Sequence, residues 1–373
     1  MFHIDRRLIQ HFDWITLAIT LFIATIGIMT IYSATRPLMD AEHPSFYLRQ
    51  IIWLILGLVV FFLVIGFDYT WLGRFSIPIF IIGIVLLLSV FIFGKTGMGA
   101  QRWLNIGIFS FQPSEVFKLA FIIMLAHYLS FVKSPINTPV LFRAFFFIPV
   151  IPFILLLKQP DLGTALIIIA LFVFLILAKG IKKRVAVLFI VISIISLPFL
   201  GNIFWGGLKE YQKSRIVAFI EPAVDPTGIG YHLNQSKITI GSGQIIGKGY
   251  LQGTQGPFRF LPEKHTDFIF AVFAEEWGFL GSLVLLIAYL LLILRGIETA
   301  RKARDDFGKL LAIGITSMFF LYCVINIGMT LGLTPVVGIP LPFMSYGGTA
   351  LLTNMIAVGI LINIRIRRLE LFH

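Results

Sequence analysis

Ten mostly apolar runs, each close to the length that crosses a bilayer, take up about half of this chain. A hydrocarbon core about 30 Å thick needs roughly 20 residues of α-helix. The runs are Trp14–Tyr32, Ile51–Phe67, Ile77–Phe93, Ser114–Phe131, Ala144–Leu157, Leu162–Ala178, Val185–Leu200, Phe268–Leu294, Leu310–Leu333 and Ala350–Ile364. Lipid offers no partner to a free N–H or C=O, so spans of this kind are helices rather than open sheets. The fifth run is the shortest and holds Pro149 and Pro152, which predicts a kink. With 58% hydrophobic and 13% charged residues, a chain of 373 residues has too little polar surface for a water-soluble domain. The expectation is an all-α polytopic membrane protein, a single domain over residues 1–373 with ten transmembrane helices.

Net charge is +12, which in a soluble protein would raise the question of nucleic acid. Here the bases fall in short loops between apolar runs, the distribution that orients membrane proteins, and no nucleic acid is expected. With the N-terminus inside, the inner segments hold 17 Lys and Arg and the short outer loops hold 5. Both termini are therefore expected to be cytoplasmic. The start, "MFHIDRRLIQHFDW", reads as a basic leader into the first span rather than a cleaved signal. One long outer loop, residues 201–266, joins the seventh and eighth spans. Arg215–Ile220 and Leu233–Ile240 in it are candidates for short interfacial helices, and "GSGQIIGKGYLQGTQGP" reads as loop. That stretch is not a P-loop, because Gly249 stands where Ser or Thr would follow the Gly-Lys. The single Cys323 excludes a disulfide framework.

This topology starts every even-numbered helix on the outer side. Four starts combine Pro with polar groups: Pro113, Ser114 and Glu115; Pro160 and Asp161; Pro262, Thr266 and Asp267; Pro342, Ser345 and Tyr346. Each alone is an ordinary capped helix start. Four together at one end make a zone suited to an anionic ligand, since helix N-termini present free N–H groups and a positive dipole end. Charge within a span costs about 2.5–3.5 kcal/mol at the centre and usually serves a function. Glu115 and Lys118 are three apart, share a helix face and pair, or else Lys118 points at a phosphate. Asp267 opens the eighth span, as a helix cap or as a reactive group, and Ala271, Ala274 and Gly278 lie on its face as a small-residue stripe. Glu275 and Glu276 fall on different sides of that helix, so they are not expected in one site. His265 reads as an interface residue and His127 as structural.

The chain contains no HExxH, no Cys/His cluster, no Gly-x-Ser-x-Gly and no Asp-x-Asp. No cofactor is indicated; magnesium or manganese would be compatible but has no dedicated site. What remains is a carboxylate near cations at the outer interface. That suits removal of a proton from a hydroxyl while an anionic leaving group is held by cations and helix ends.

The stretches "GAQRWLNIG", "FQPSEVFKLA", "KQPDLGTAL", "GYHLNQSKITIGSGQIIGKG", "LPEKHTDFIFAVFAEEWG" and "PLPFMSYGG" resemble the SEDS family (shape, elongation, division and sporulation), in order and over nearly the whole chain. "GKGYLQGTQ" before "LPEKHTDFIF" is similar to the elongation-type branch. The resemblance implies a peptidoglycan glycosyltransferase in the cytoplasmic membrane. It would polymerise lipid II, a disaccharide-pentapeptide on undecaprenyl pyrophosphate, into nascent glycan beside a class B penicillin-binding protein and the membrane lipids. It also implies that Asp267 is the essential aspartate, general base for the acceptor 4-hydroxyl, and that Trp103, Glu115 and Lys118 occupy positions that matter. Arg102, Lys118 and Lys264 are then candidates for the pyrophosphate, and Trp103 and Tyr346 for the sugar. Asp161, Thr266 and Ser345, at the polar helix starts, join them as substrate-binding candidates. An α-linked donor that becomes a β-linked product implies single-displacement inversion. Three rivals stay open: a lipid II flippase, the division-type paralogue, and a non-catalytic scaffold.

Overall fold

The computed structural model describes residues 12–36, 45–97, 100–106, 109–187, 206, 210–221, 228–254 and 265–368. Nine of the ten expected spans coincide with helices there. They are α1 (Trp14–Thr35), α2 (Phe46–Gly66), α4 (Ser76–Phe93), α5 (Pro113–Ser130), the pair α6 (Thr138–Phe147) and α7 (Val150–Lys158), α8 (Leu162–Lys179), α11 (Ile269–Arg301), α12 (Asp306–Leu331) and α13 (Gly348–Ile366). A short helix, α3 (Thr70–Arg74), links α2 to α4. Beyond its first three residues, the seventh expected span, Val185–Leu200, lies outside the described residues. Eight spans, counting α6 and α7 as one, are long and apolar enough to cross a membrane. The chain is a polytopic helical membrane protein. The α6–α7 junction lies at Pro149, where the sequence predicts a kink.

Burial separates the centre from the rim. In α13 and α12, 83% and 72% of the apolar window is enclosed by protein; in α2 and α4 the figures are 22% and 28%, the mark of lipid-facing helices. The ninth helix, α5, carries Glu115, Lys118 and His127, and packs against α4, α8, α12 and α13. Protein thus replaces lipid around the charges that lipid would not accept.

Three features differ from the sequence expectation. Between α4 and α5 the chain forms a small antiparallel sheet, β1 (Lys95–Gly97), β2 (Ala100–Ile106) and β3 (Phe109–Phe111), in the order β1-β2-β3. The all-α expectation therefore holds for the spans but not for this connection. Two helices precede α11: α9 (Glu210–Ile220) and α10 (Ile229–Ser242), both longer than the interfacial helices expected there. Finally, α11 is not continuous. Gly278, at φ +64° and ψ −162°, breaks it one third of the way along.

At the end where α1 begins and α13 finishes, an ionic clasp joins three helices. Asp13 caps α1 by accepting from Thr16 N at 3.2 Å and Thr16 Oγ1 at 2.6 Å. It also pairs with Arg295 of α11 and, at 3.3 Å, with Arg365 of α13. Glu298 takes Arg295 and Arg365, each at 3.0 Å. Nearby, the Tyr69 hydroxyl donates to Asp305 Oδ2 at 2.7 Å. Burial, with that carboxylate's help, pushes the Tyr69 phenol far above its ordinary value, so it stays a donor.

Candidate active site

Asp267 lies in a turn, residues 265–268, just ahead of α11. The N-cap of the helix is Phe268, which makes no side-chain hydrogen bond, so Asp267 stands one residue ahead of the cap position. The turn is stitched to the 336–347 segment that leads into α13. Asn326 Nδ2, from α12, donates to Asp267 O at 3.1 Å and to Ile339 O at 2.7 Å. Ser345 Oγ donates to Thr266 O at 2.7 Å and accepts from Leu341 N at 2.8 Å. Tyr346 N donates to His265 O at 2.9 Å, and the Tyr346, His265 and Phe46 rings pack together. Asp267, Thr266, Ser345 and Tyr346 are therefore one cluster. Asp267 itself is half-buried, with its carboxylate beside Gly338.

A second cluster surrounds Asp161, which caps α8 by accepting from Thr164 N at 3.3 Å and Thr164 Oγ1 at 2.9 Å. Its Oδ2 also accepts from Ser114 Oγ at 3.1 Å, which ties the start of α5 to the start of α8. Arg102, on β2, donates to Pro160 O and stands 3.9 Å from Asp161 Oδ1. Trp103 is beside it on the sheet with 36% of its surface exposed. One turn into α5, Lys118 Nζ donates to Glu115 Oε1 at 2.6 Å and lies 4.6 Å from the Tyr322 ring centroid. Lys118 is 1% exposed, so it faces the interior and does not reach the surface zone. Glu115 Oε2 and the Tyr322 hydroxyl are buried with no partner among the described residues.

The two clusters meet across the 337–339 segment. A Cβ at Gly163, beside Asp161, would lie 2.8 Å from Val337 O, and a Cβ at Gly338 would lie 3.3 Å from Asp267 Oδ2. All four polar helix starts thus converge at one end of the bundle; of the residues that define them only Pro262 lies outside the described residues, as does Lys264. Among the described residues no three His, Cys, Asp or Glu side chains gather where they could hold a metal.

Glu275 and Glu276 serve the loop after α10, and both approach Gly253, contrary to the sequence expectation. Glu275 Oε1 accepts from Lys248 Nζ at 2.6 Å and Thr254 N at 2.8 Å. Glu276 Oε1 accepts from Ser33 Oγ of α1.

The family model of the cell cycle proteins FtsW, RodA and SpoVE matches residues 12–369. The chain belongs to this family, the SEDS proteins. The peptidoglycan glycosyltransferase MrdB of Escherichia coli (strain K12) is 38% identical over 361 residues, covering 96% of this SEDS chain and 94% of its own. A solved chain from a peptidoglycan synthase complex, described as coordinating polymerization and crosslinking, superposes with a TM-score of 0.81 at 28% identity, covering 96% and 99%. RodA of Thermus thermophilus, a rod shape determining protein, gives 0.69 at 27% identity, covering 95% and 96%.

Some residues of this SEDS site escaped the sequence reading. Arg215 was read only as the start of an interfacial helix, yet its guanidinium reaches Gly338 beside Asp267. Asn326 stood in an apolar run as an isolated amide, and a buried amide with two carbonyl partners is visible only once distant loops are in place. The sequence signal that could have found it was its polarity in mid-span.

Proposed function

We propose that the chain is an elongation-type peptidoglycan glycosyltransferase that polymerises lipid II at the outer face of the cytoplasmic membrane. What carries this reading is the placement of Asp267. Its carboxylate stands at the end of the bundle opposite the ionic clasp, on a polar floor, one loop away from Arg102 and Asp161. The substrate is half lipid. Its prenyl tail can stay in the bilayer while the sugar reaches a site at the interface.

Asp267 removes the proton from the acceptor 4-hydroxyl as that oxygen attacks the anomeric carbon of the donor. The bond to undecaprenyl pyrophosphate breaks with its electron pair. The leaving group departs as an anion and needs no general acid. Inversion follows from a single displacement with one base and no enzyme nucleophile. Arg102, whose side chain keeps 17% of its surface, and Lys264 are assigned to the pyrophosphate; Trp103 and Tyr346 line the sugar site. The working partner is a class B penicillin-binding protein, in keeping with the synthase complex that contains a structural relative.

The test separates an enzyme from a transporter. Micelles have no two sides, so transport has no meaning there and polymerisation does. The purified protein with its penicillin-binding partner is expected to convert lipid II to glycan strands in micelles, and Asp267→Asn to abolish this while melting and partner binding hold. A positioned base contributes about 10²–10⁴-fold. Loss of less than about one decade, roughly 1.4 kcal/mol, would move the base elsewhere.

A further inference from the structure

Gly338 sits where two charged groups from different elements meet. A Cβ there would lie 3.3 Å from Asp267 Oδ2, 3.6 Å from Arg215 Nη1 and 3.9 Å from Arg215 Nη2. Its φ of +72° independently demands glycine. Asp267 and Arg215 are thus no further apart than the first two distances laid end to end. Both terminal nitrogens of Arg215 approach the same point, so the forked edge of the guanidinium, the edge that matches a carboxylate, faces it.

We propose that Arg215 is a positioning residue for Asp267, holding the carboxylate ionised and aimed at the acceptor hydroxyl. The inference rests on the glycosyltransferase reading with Asp267 as base. A nearby cation favours the charged form of a carboxylate, and only that form can accept the proton. Geometry also assigns Arg215 to one side of the reaction. In a single displacement the attacking and leaving oxygens stand on opposite faces of the anomeric carbon. The base contacts the attacking oxygen, at about 2.6–3.2 Å. A cation sharing the base's own contact point therefore stands on the attacking side, away from the departing pyrophosphate. Arg102 lies across the 337–339 segment, beside Asp161, where a cation for the leaving group is needed. The acceptor proton passes to Asp267, the pyrophosphate carries off the electron pair, and Arg215 keeps all its protons throughout.

The test is steady-state polymerisation of lipid II by the full chain with its class B partner in micelles, comparing wild type, Arg215→Gln and Arg215→Lys. Arg215→Gln is expected to lower kcat by about tenfold or more with KM for lipid II within about twofold, the pattern of an interaction that acts on the transition state. Arg215→Lys keeps the charge without the fork, and its kcat is expected between the other two. Melting temperature and partner binding are measured on each; if the Gln variant does not fold, the Lys variant carries the comparison. A raised KM with kcat unchanged would make Arg215 a substrate ligand and overturn the proposal, as would wild-type values of both. If wild type itself makes no polymer, the glycosyltransferase reading has failed. If wild type polymerises, Asp267→Asn does not, and Arg215→Gln matches wild type, only this inference has failed.

Discussion

Lys118 and Glu115 put opposite charges where water does not reach, with side chains 1% and 4% exposed. Removing one partner of such a pair leaves the other charge buried, at a cost of about 3–5 kcal/mol, whereas replacing both by groups of similar volume is often near neutral. Lys118→Ala is therefore expected to lower the melting temperature sharply, and Glu115→Gln with Lys118→Met to restore most of it. Activity then separates scaffold from chemistry. Glu115 Oε2 has no partner among the described residues, and a buried acceptor left open asks for a reason. The stable double variant is expected to polymerise lipid II at under about a tenth of the wild-type rate, a loss of roughly 1.4 kcal/mol or more of transition-state stabilisation. Recovery of activity together with stability would reduce the pair to a structural role.

The break in α11 shows how a loop can enter a membrane bundle without leaving its backbone unpaired. Glu275 O and Glu276 O, released at the break, accept from Lys248 N and Gly249 N, both at 3.0 Å. On the far side, Phe279 N and Leu280 N donate to Gln244 O at 2.9 Å and Ile245 O at 3.0 Å. Irregular backbone at this depth is tolerated because protein satisfies it. The fit is close enough to require glycine. A Cβ at Gly243 would lie 2.1 Å from Ala274 O, and one at Gly247 would lie 2.2 Å from Glu276 O. Gly241, only two residues before Gly243, has nothing within 4 Å of its Cβ position. Gly247→Ala is expected to cost both melting temperature and activity. Gly241→Ala, in the last turn of α10, is expected to be neutral or to stabilise by up to about 1 kcal/mol through helix propensity. Thermal melts of the two variants decide the matter, and equal behaviour would refute the account. These elements also show what a sequence can reveal. The spans were readable because apolar length is a local property. "GSGQIIGKGYLQGTQGP" was readable as a loop for the same reason. Its insertion into α11 was not, since the small-residue stripe of Ala271, Ala274 and Gly278 assumed an unbroken helix, and a Gly at φ +64° looks like any other Gly in sequence. Likewise Asp267 stood out as a lone acid before an apolar run, whereas Arg215, 52 positions away in sequence, became a neighbour only through the loop at Gly338.

Across the whole molecule the two ends of the bundle have opposite character. At one end, Asp13 binds Arg295 and Arg365, so the start of α1, the finish of α11 and the finish of α13 are held together. Exposed bases crowd the same end, among them Arg301, Lys302 and Arg304. At the other end lie Asp267, Asp161 and the sheet that bears Arg102. A membrane protein keeps its Lys and Arg loops in the cytoplasm, so the clasp is expected inside and Asp267 outside, where a lipid-linked sugar would be presented. The orientation can be read chemically. Gln252 is exposed near the Asp267 end and Arg304 is exposed at the basic end, while the one native thiol, Cys323, is buried and contributes little background. In intact cells an impermeant thiol reagent is expected to label Gln252→Cys, and to label Arg304→Cys only after permeabilisation. The reverse pattern would put Asp267 on the cytoplasmic side, away from the growing wall, and the glycosyltransferase assignment would fall with the topology.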